Sequence, residues 1–235
     1  AYSGASPVVV AEVAAAVLER VDRQLHVADA ARHRLVLARP EALSRLGDAI
    51  GGHVAVELPH DEPAHPVRDF QLARREVDAA RGRLEVELGR RYRQRSEAWL
   101  IVDGTLAESP LWAADSRMLG VVKSHASLPF ADLDLEQYLR LPPGCRSPVF
   151  QPAGHDVTPV YSWALRLWPW EGKDLLHGLI RVEAAPTVDT LAQADQLSRW
   201  LLAERAPVGT PDPRWDRLLY GIRAVEQYLR ASGGR

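Results

Sequence analysis

Apolar residues fall into short runs separated by polar, proline-rich or glycine-rich breaks, and the spacing within each run predicts its element. Residues 99–102, WLIV, are apolar on both faces and read as a strand deep in a sheet. The run stops at Asp103-Gly104-Thr105. A second run, residues 118–122, leads into Lys123-Ser124-His125. The stretch 99–125 therefore predicts a strand, a turn and a second strand. The first delivers a carboxylate at its C-terminal end and the second an ammonium. Residues 8–17 read as another strand, as do 35–37 and the alternating 54–58. Residues 40–50 predict a short helix ended by Gly51-Gly52.

The firmest periodicity covers residues 69–95. There Phe70, Ala73, Val77, Ala80, Leu84 and Leu88 recur at helical intervals, and the opposite face is crowded with Arg and Glu. Residues 132–141 predict a short helix stopped by Pro142-Pro143-Gly144. Residues 160–168, VYSWALRLW, alternate as a strand, with an antiparallel partner in 174–184 across a turn at 170–173. Residues 188–202 form an amphipathic helix and 207–213 a loop. Residues 214–230 form a last helix with Leu218, Ile222, Val225 and Leu229 on one side. No internal repeat or low-complexity linker interrupts this order, which predicts one α/β domain around a mixed sheet.

Composition adds limits. A chain of 235 residues holds one large domain or two small ones. No apolar run approaches the length that crosses a bilayer, and no secretory-signal pattern precedes the first residues. The single Cys145 excludes a disulfide framework within the chain and a cysteine zinc site, and fits a cytoplasmic location. A net charge of -2 does not announce a nucleic-acid binder, although a nuclease needs only a local basic groove. Lys123 and Lys173 are the only lysines in an Arg-rich chain, so a Lys at a strand end suits a role for a compact, flexible charge. His53, His60 and His65, in and beside the loop PHDEPAHP, match no zinc spacing. Trp163, Trp168 and Trp170 could stack bases, but core packing is the commoner use. The chain opens at Ala1 without Met, which suggests a start inside a domain that lacks residues upstream.

The candidate chemistry centres on Asp103. An Asp ending a strand emerges at the sheet's carboxyl edge, where open α/β sheets hold ligands. Gly104 lets the backbone turn there. A hard oxygen ligand suits Mg²⁺ or Mn²⁺. Asp-Gly is also a common turn dipeptide, and that plainer reading stays open. Glu76, between Ala73 and Ala80 at the margin of the apolar stripe, could point toward the sheet edge or pair with a nearby Arg on the surface. Glu85 and Glu87 are the other helical candidates.

The motifs LIVDGTL, RMLGVVKSH, VYSWALRLWP with LLHGLIRVEA, and the C-terminal pair of helices together resemble the NurA family of DNA-end-processing nucleases. The resemblance covers most of the chain in order, through short motifs. It implies a single nuclease domain over residues 1–235 with an RNase H-like mixed sheet flanked by helices, Asp103 ending a central strand and the 121–123 strand beside it. It also implies a Mn²⁺- or Mg²⁺-dependent single-strand endonuclease and 5′–3′ exonuclease in double-strand break repair. The implied partners are DNA, a second copy of the chain and a HerA-type hexameric ATPase, with no membrane. Trp112, Leu111, Trp215 and Tyr220 are the apolar residues expected at such interfaces.

By the same resemblance Asp103 matches the family's second Asp-Gly and Glu76 its helical Glu; both would ligate metal. Lys123 matches a basic residue near the site. Two departures stand out. The family's early Asp-Gly has no match and would lie before Ala1, and its C-terminal His is replaced, with Arg223 in the approximate place. A catalytically degenerate subunit that binds DNA or an ATPase without cutting is therefore the alternative. A PIWI-type RNase H-like domain is less well matched, for want of a basic guide-binding segment.

Overall fold

The computed structural model describes residues 7–60, 62–124, 128–152, 158–206 and 215–233. The chain divides into two compact units, residues 1–95 with 232–235, and residues 96–231. Each holds its own sheet, so the fold is mixed α/β with two mixed sheets, not the one sheet expected from the order of elements.

In the first unit, β1 (Val9–Val21) and β2 (Gln24–Ala38) form a long antiparallel hairpin. The tight turn between them puts Asp22 and Arg23 at φ 48° and 68°. Turns of this kind favour Asn-Gly or Asp-Gly; Asp22 fits the first place, but Arg23 stands where Gly is usual, so the sequence signal is weak. The reading also caught only the last residues of β2. Its earlier part is polar because it is held by charge: Arg32 and Arg34 pair with Glu12 across the ladder, and Asp29 pairs with Arg91 of the long helix. The hydrogen bond from Arg32 holds the Glu12 carboxyl below the usual range. Helix α1 (Pro40–Leu46) and a 3₁₀ turn lead to β3 (Val54–Glu57), which runs parallel to β2.

Helix α2 (Pro66–Arg95) then packs on β1 and β2, burying Ala73, Leu84, Leu88 and Tyr92. Phe70 departs from the predicted stripe. It is 56% exposed, while its neighbour Asp69 is fully buried. The cause is Arg39. Its Nε donates to Asp69 Oδ2 at 2.8 Å and its Nη2 to Oδ1 at 2.9 Å. The same guanidinium donates to the carbonyls of Glu62 at 2.7 Å and Pro63 at 3.2 Å. Successive helix residues point about 100° apart. A rotation that brings Asp69 to this partner turns Phe70 to water.

In the second unit the strands are β4 (Leu100–Asp103), β5 (Met118–Val122), β6 (Tyr161–Arg166) and β7 (Leu179–Ala184). Their order is β4-β5-β7-β6. The β4–β5 pair is parallel and the other pairs are antiparallel. Among the described residues β4 is thus an outer strand of its sheet, not the central one expected, although Asp103 does lie opposite Val121 on β5. A one-turn helix, α3 (Pro110–Ala113), lies between β4 and β5, and α4 (Asp132–Leu139) follows β5. One sheet face packs Leu119, Val121, Trp163, Leu165, Ile180 and Val182 against α5 (Val188–Ala203) and α6 (Tyr220–Ser232). Trp163, one of the tryptophans weighed above, is fully buried and donates its indole N–H to Ser198 Oγ at 2.9 Å. The expected helix over 214–230 is divided, a 3₁₀ turn at Trp215–Arg217 preceding α6. The loop expected at 207–213 and His125 lie outside the described residues.

The opposite sheet face is more polar. Arg166 is fully buried and has carbonyls, not a carboxylate, as partners: those of Leu139, Leu141, Leu175 and His177. Burial pulls its pKa down to about 10, so it keeps its charge at neutral pH. Tyr138 of α4 packs with Ala164, Leu179 and Phe130. Its hydroxyl is buried without a hydrogen-bond partner among the described residues.

Two stability predictions follow from these buried groups. Asp69→Asn leaves the Arg39 guanidinium buried beside a neutral amide, and is expected to cost about 3 kcal/mol, read as a lower urea midpoint. Tyr138→Phe removes an unpartnered hydroxyl and is expected to stabilise by about 1 kcal/mol at neutral pH. Burial also pushes the Tyr138 phenol up to about 12 from its ordinary value of 10.0. Between those values the unfolded chain gives up the proton while the folded one keeps it. The cost of burying the phenol is therefore constant below the lower value and grows as pH rises through the interval, so stability falls there. Thermal melts of both proteins across that interval should show the decline only in the chain that carries Tyr138.

Candidate functional site

Parallel pairing of β4 and β5 brings both C-terminal ends to one edge of the sheet. The register opposes Asp103 to Val121, and Val121 faces the core beneath α5 and α6. Side chains alternate along a strand, so Lys123 points to the same side as Val121. Lys123 Nζ donates to Asp103 Oδ2 at 2.7 Å and lies 3.8 Å from Glu226 Oε1 on α6. Arg230, one turn further along α6, stands 3.5 Å from the other oxygen of Glu226. The Lys123 side chain is 12% exposed and that of Asp103 is 40% exposed. Arg217 fixes the backbone beneath by donating to the Lys123 carbonyl at 3.1 Å. Two carboxylates from distant parts of the chain thus meet on one ammonium.

The turn after Asp103 is held on both sides. Gly104 has φ 130°, a conformation that side-chain-bearing residues rarely adopt, and its N–H donates to the Val121 carbonyl at 2.9 Å. Thr105 Oγ1 and the Leu106 N–H both donate to Glu183 Oε2 on β7, at 2.6 Å and 2.8 Å. Glu183 is almost wholly buried, and its other oxygen accepts from Arg181 Nε at 3.2 Å and Nη2 at 3.0 Å. Gly120 on β5 lies under the turn. A Cβ there would sit 2.8 Å from the Gly104 carbonyl oxygen and 3.0 Å from Leu106 Cγ.

Of the residues expected at the site, Asp103 and Lys123 are brought together in the second unit. Glu76 lies on α2 in the first unit, half-buried. Glu85 stands 3.8 Å from Arg81 and Glu87 3.9 Å from Arg91, both surface pairs along α2. Arg223 occupies α6 one turn before Glu226. The sequence reading missed Glu226. The available signal was its place beside Val225 and one turn after Ile222, on the margin of the apolar stripe of α6. The histidines read as lacking metal spacing are dispersed. His53 Nδ1 lies against the Ile50 carbonyl, His60 is 3.9 Å from Glu57, and His65 Nδ1 accepts from the Arg68 N–H. Trp168 packs edge-on against Trp215 and beneath Arg205, whose guanidinium lies 4.7 Å from the ring centre.

A scan against protein-family models finds no match for the chain, and a search of curated proteins finds no significant relative.

A substitution beneath the turn tests how closely it is seated. Gly120→Ala must push the Gly104 carbonyl and Leu106 off β5. It is expected to cost about 1–3 kcal/mol, the usual range for overpacking, visible as a lower melting temperature.

Proposed function

We propose that the protein is a metal-dependent DNA nuclease of the NurA type. In this reading it acts on DNA ends in double-strand break repair, as a single-strand endonuclease and 5′–3′ exonuclease. The observation that carries the reading is Asp103 at the carboxyl edge of a parallel strand pair, sharing Lys123 with Glu226. The donor set fits a hard cation: carboxylate oxygens are the ligands that Mg²⁺ and Mn²⁺ take. Asp103 and Glu226 are the residues of this unit that would hold it. Such an ion polarises the phosphate and lowers the pKa of a bound water. Lys123, on a flexible stem, would release the carboxylates and donate to a phosphate oxygen, offsetting the charge that develops there. Arg217 would keep the Lys123 backbone in place while the ammonium moves.

The same resemblance supports a homodimer working with a HerA-type hexameric ATPase, in the cytoplasm. Leu111 and Tyr220 are exposed, as an interface would need, while Trp112 and Trp215 are half-buried. No helix among the described residues is long and apolar enough to cross a membrane.

A second reading is favoured by the ion pair itself. Lys123 already neutralises Asp103 at hydrogen-bond distance, as suits a degenerate subunit that binds DNA or an ATPase without cutting. The experiment that separates them is cleavage of single- and double-stranded ends in Mn²⁺ and in Mg²⁺. For the enzyme, Asp103→Asn should abolish cutting with melting almost unchanged, because Asn keeps size and turn preference but not charge. Glu226→Gln should weaken metal-dependent cutting about 10-fold or more. DNA binding by the Asp103 variant should persist or tighten, since a carboxylate that repels phosphate is gone. Full activity in the Asn variant would overturn the assignment.

A further inference from the structure

We infer that Glu183 is the positioning residue of the Asp103 site, acting through the turn at 103–107. Glu183 sits on β7, and the turn follows β4, with β5 between them. Its ladder partner on β5 is Gly120, which is also the partner of Val102 on β4. The missing side chain at Gly120 lets the turn fold over β5, with the Leu106 nitrogen 3.2 Å from where a Cβ would lie. There Thr105 Oγ1 and the Leu106 N–H meet the Glu183 carboxylate from the neighbouring strand.

A buried carboxylate is costly unless its oxygens are hydrogen-bonded. Here one oxygen takes both donors from the turn, and the other takes the Arg181 fork. Thr105 Oγ1 also accepts from the Ala107 N–H at 3.1 Å, which closes the turn on itself. Asp103 is two residues before Thr105, so this clamp and the Gly104 bond to Val121 fix where its carboxylate emerges. Glu183 touches neither Lys123 nor Glu226 among the bonds described, and acts on the site only through the backbone. Only the activity arm of the test below rests on the nuclease reading.

Amide hydrogen exchange reads the clamp without reference to catalysis. In Glu183→Gln, exchange at Leu106 and Ala107 should rise about 10-fold beyond any rise at Trp163 and Val182, which pair across the β6–β7 ladder. Thr105→Val removes one hydroxyl at a half-buried position, keeps the fold, and should give a smaller rise at the same two amides. If Glu183→Gln fails to fold, this variant decides the question. An equal rise at the turn and in the ladder would mean general loosening, and would overturn the inference. The second arm is cleavage by the wild-type chain and both variants. Positioning predicts kcat lowered about 10-fold with KM for DNA unchanged. Unchanged kcat with a loosened turn would overturn the positioning role. A wild-type chain that does not cut would sink the nuclease reading, and the exchange result would still decide whether Glu183 clamps the turn.

Discussion

The turn that carries Asp103 lies on β5 so closely that Gly120 has no room for a Cβ, which would fall 2.8 Å from the Gly104 carbonyl oxygen. From that close approach the remaining geometry of the second unit follows. The Gly104 N–H continues the parallel β4–β5 ladder to the Val121 carbonyl. Glu183 can meet the turn because the turn itself lies over Gly120, beside β7. With the turn seated, Asp103 and Lys123 leave the sheet on the same side and meet the helix that carries Glu226. A larger residue at Gly120 would act on each of these contacts at once, which makes them one structural element.

Both units take charge out of water, and each repays it differently. In the first, Arg39 and Asp69 make a two-pronged pair, and two further guanidinium N–H groups donate to the carbonyls of Glu62 and Pro63. That arrangement ties the end of β2 to the start of α2 and to the loop before it. In the second, Arg166 is surrounded by carbonyls, which accept its hydrogen bonds without cancelling its charge. It ties the end of α4 to the approach of β7. Replacing such groups with well-packed apolar ones is often neutral for stability. What the charged groups add is direction: each hydrogen bond can be satisfied in only one placement of the loop it holds.

Elements whose apolar spacing matched their burial were legible in advance. The strands at β4 and β5, the β6–β7 pair and helix α5 follow from runs that pack a core. The rest was written in charge pairing, which periodicity does not register. The first part of β2 gave no strand signal because the groups that hold it, Glu12 and Arg91, are distant in sequence. Phe70 looked buried because the Arg39–Asp69 pair that rotates it outward joins residues thirty apart. The same limit applies to the site. Asp103 and Lys123 could be found because each ends an apolar strand. Glu226 lies more than a hundred residues from either, on a helix whose apolar stripe gives no sign of what its margin faces. The division into two sheets was equally hidden, since strand order does not say which strands pair.

The strength of the Lys123–Asp103 pair bears on both functional readings. Asp103 is two-fifths exposed, so water screens the attraction, and an ion pair of this kind contributes on the order of 1 kcal/mol or less. Lys123 is more enclosed and has a second carboxylate at 3.8 Å, so its charge remains partly balanced when Asp103 is drawn elsewhere. Breaking the pair therefore costs little. A lock against catalysis would require the reverse: both partners buried, with no alternative acceptor for the ammonium. Sharing Lys123 between two carboxylates leaves one negative charge uncompensated by it, and Arg230, 3.5 Å from Glu226, offsets that charge.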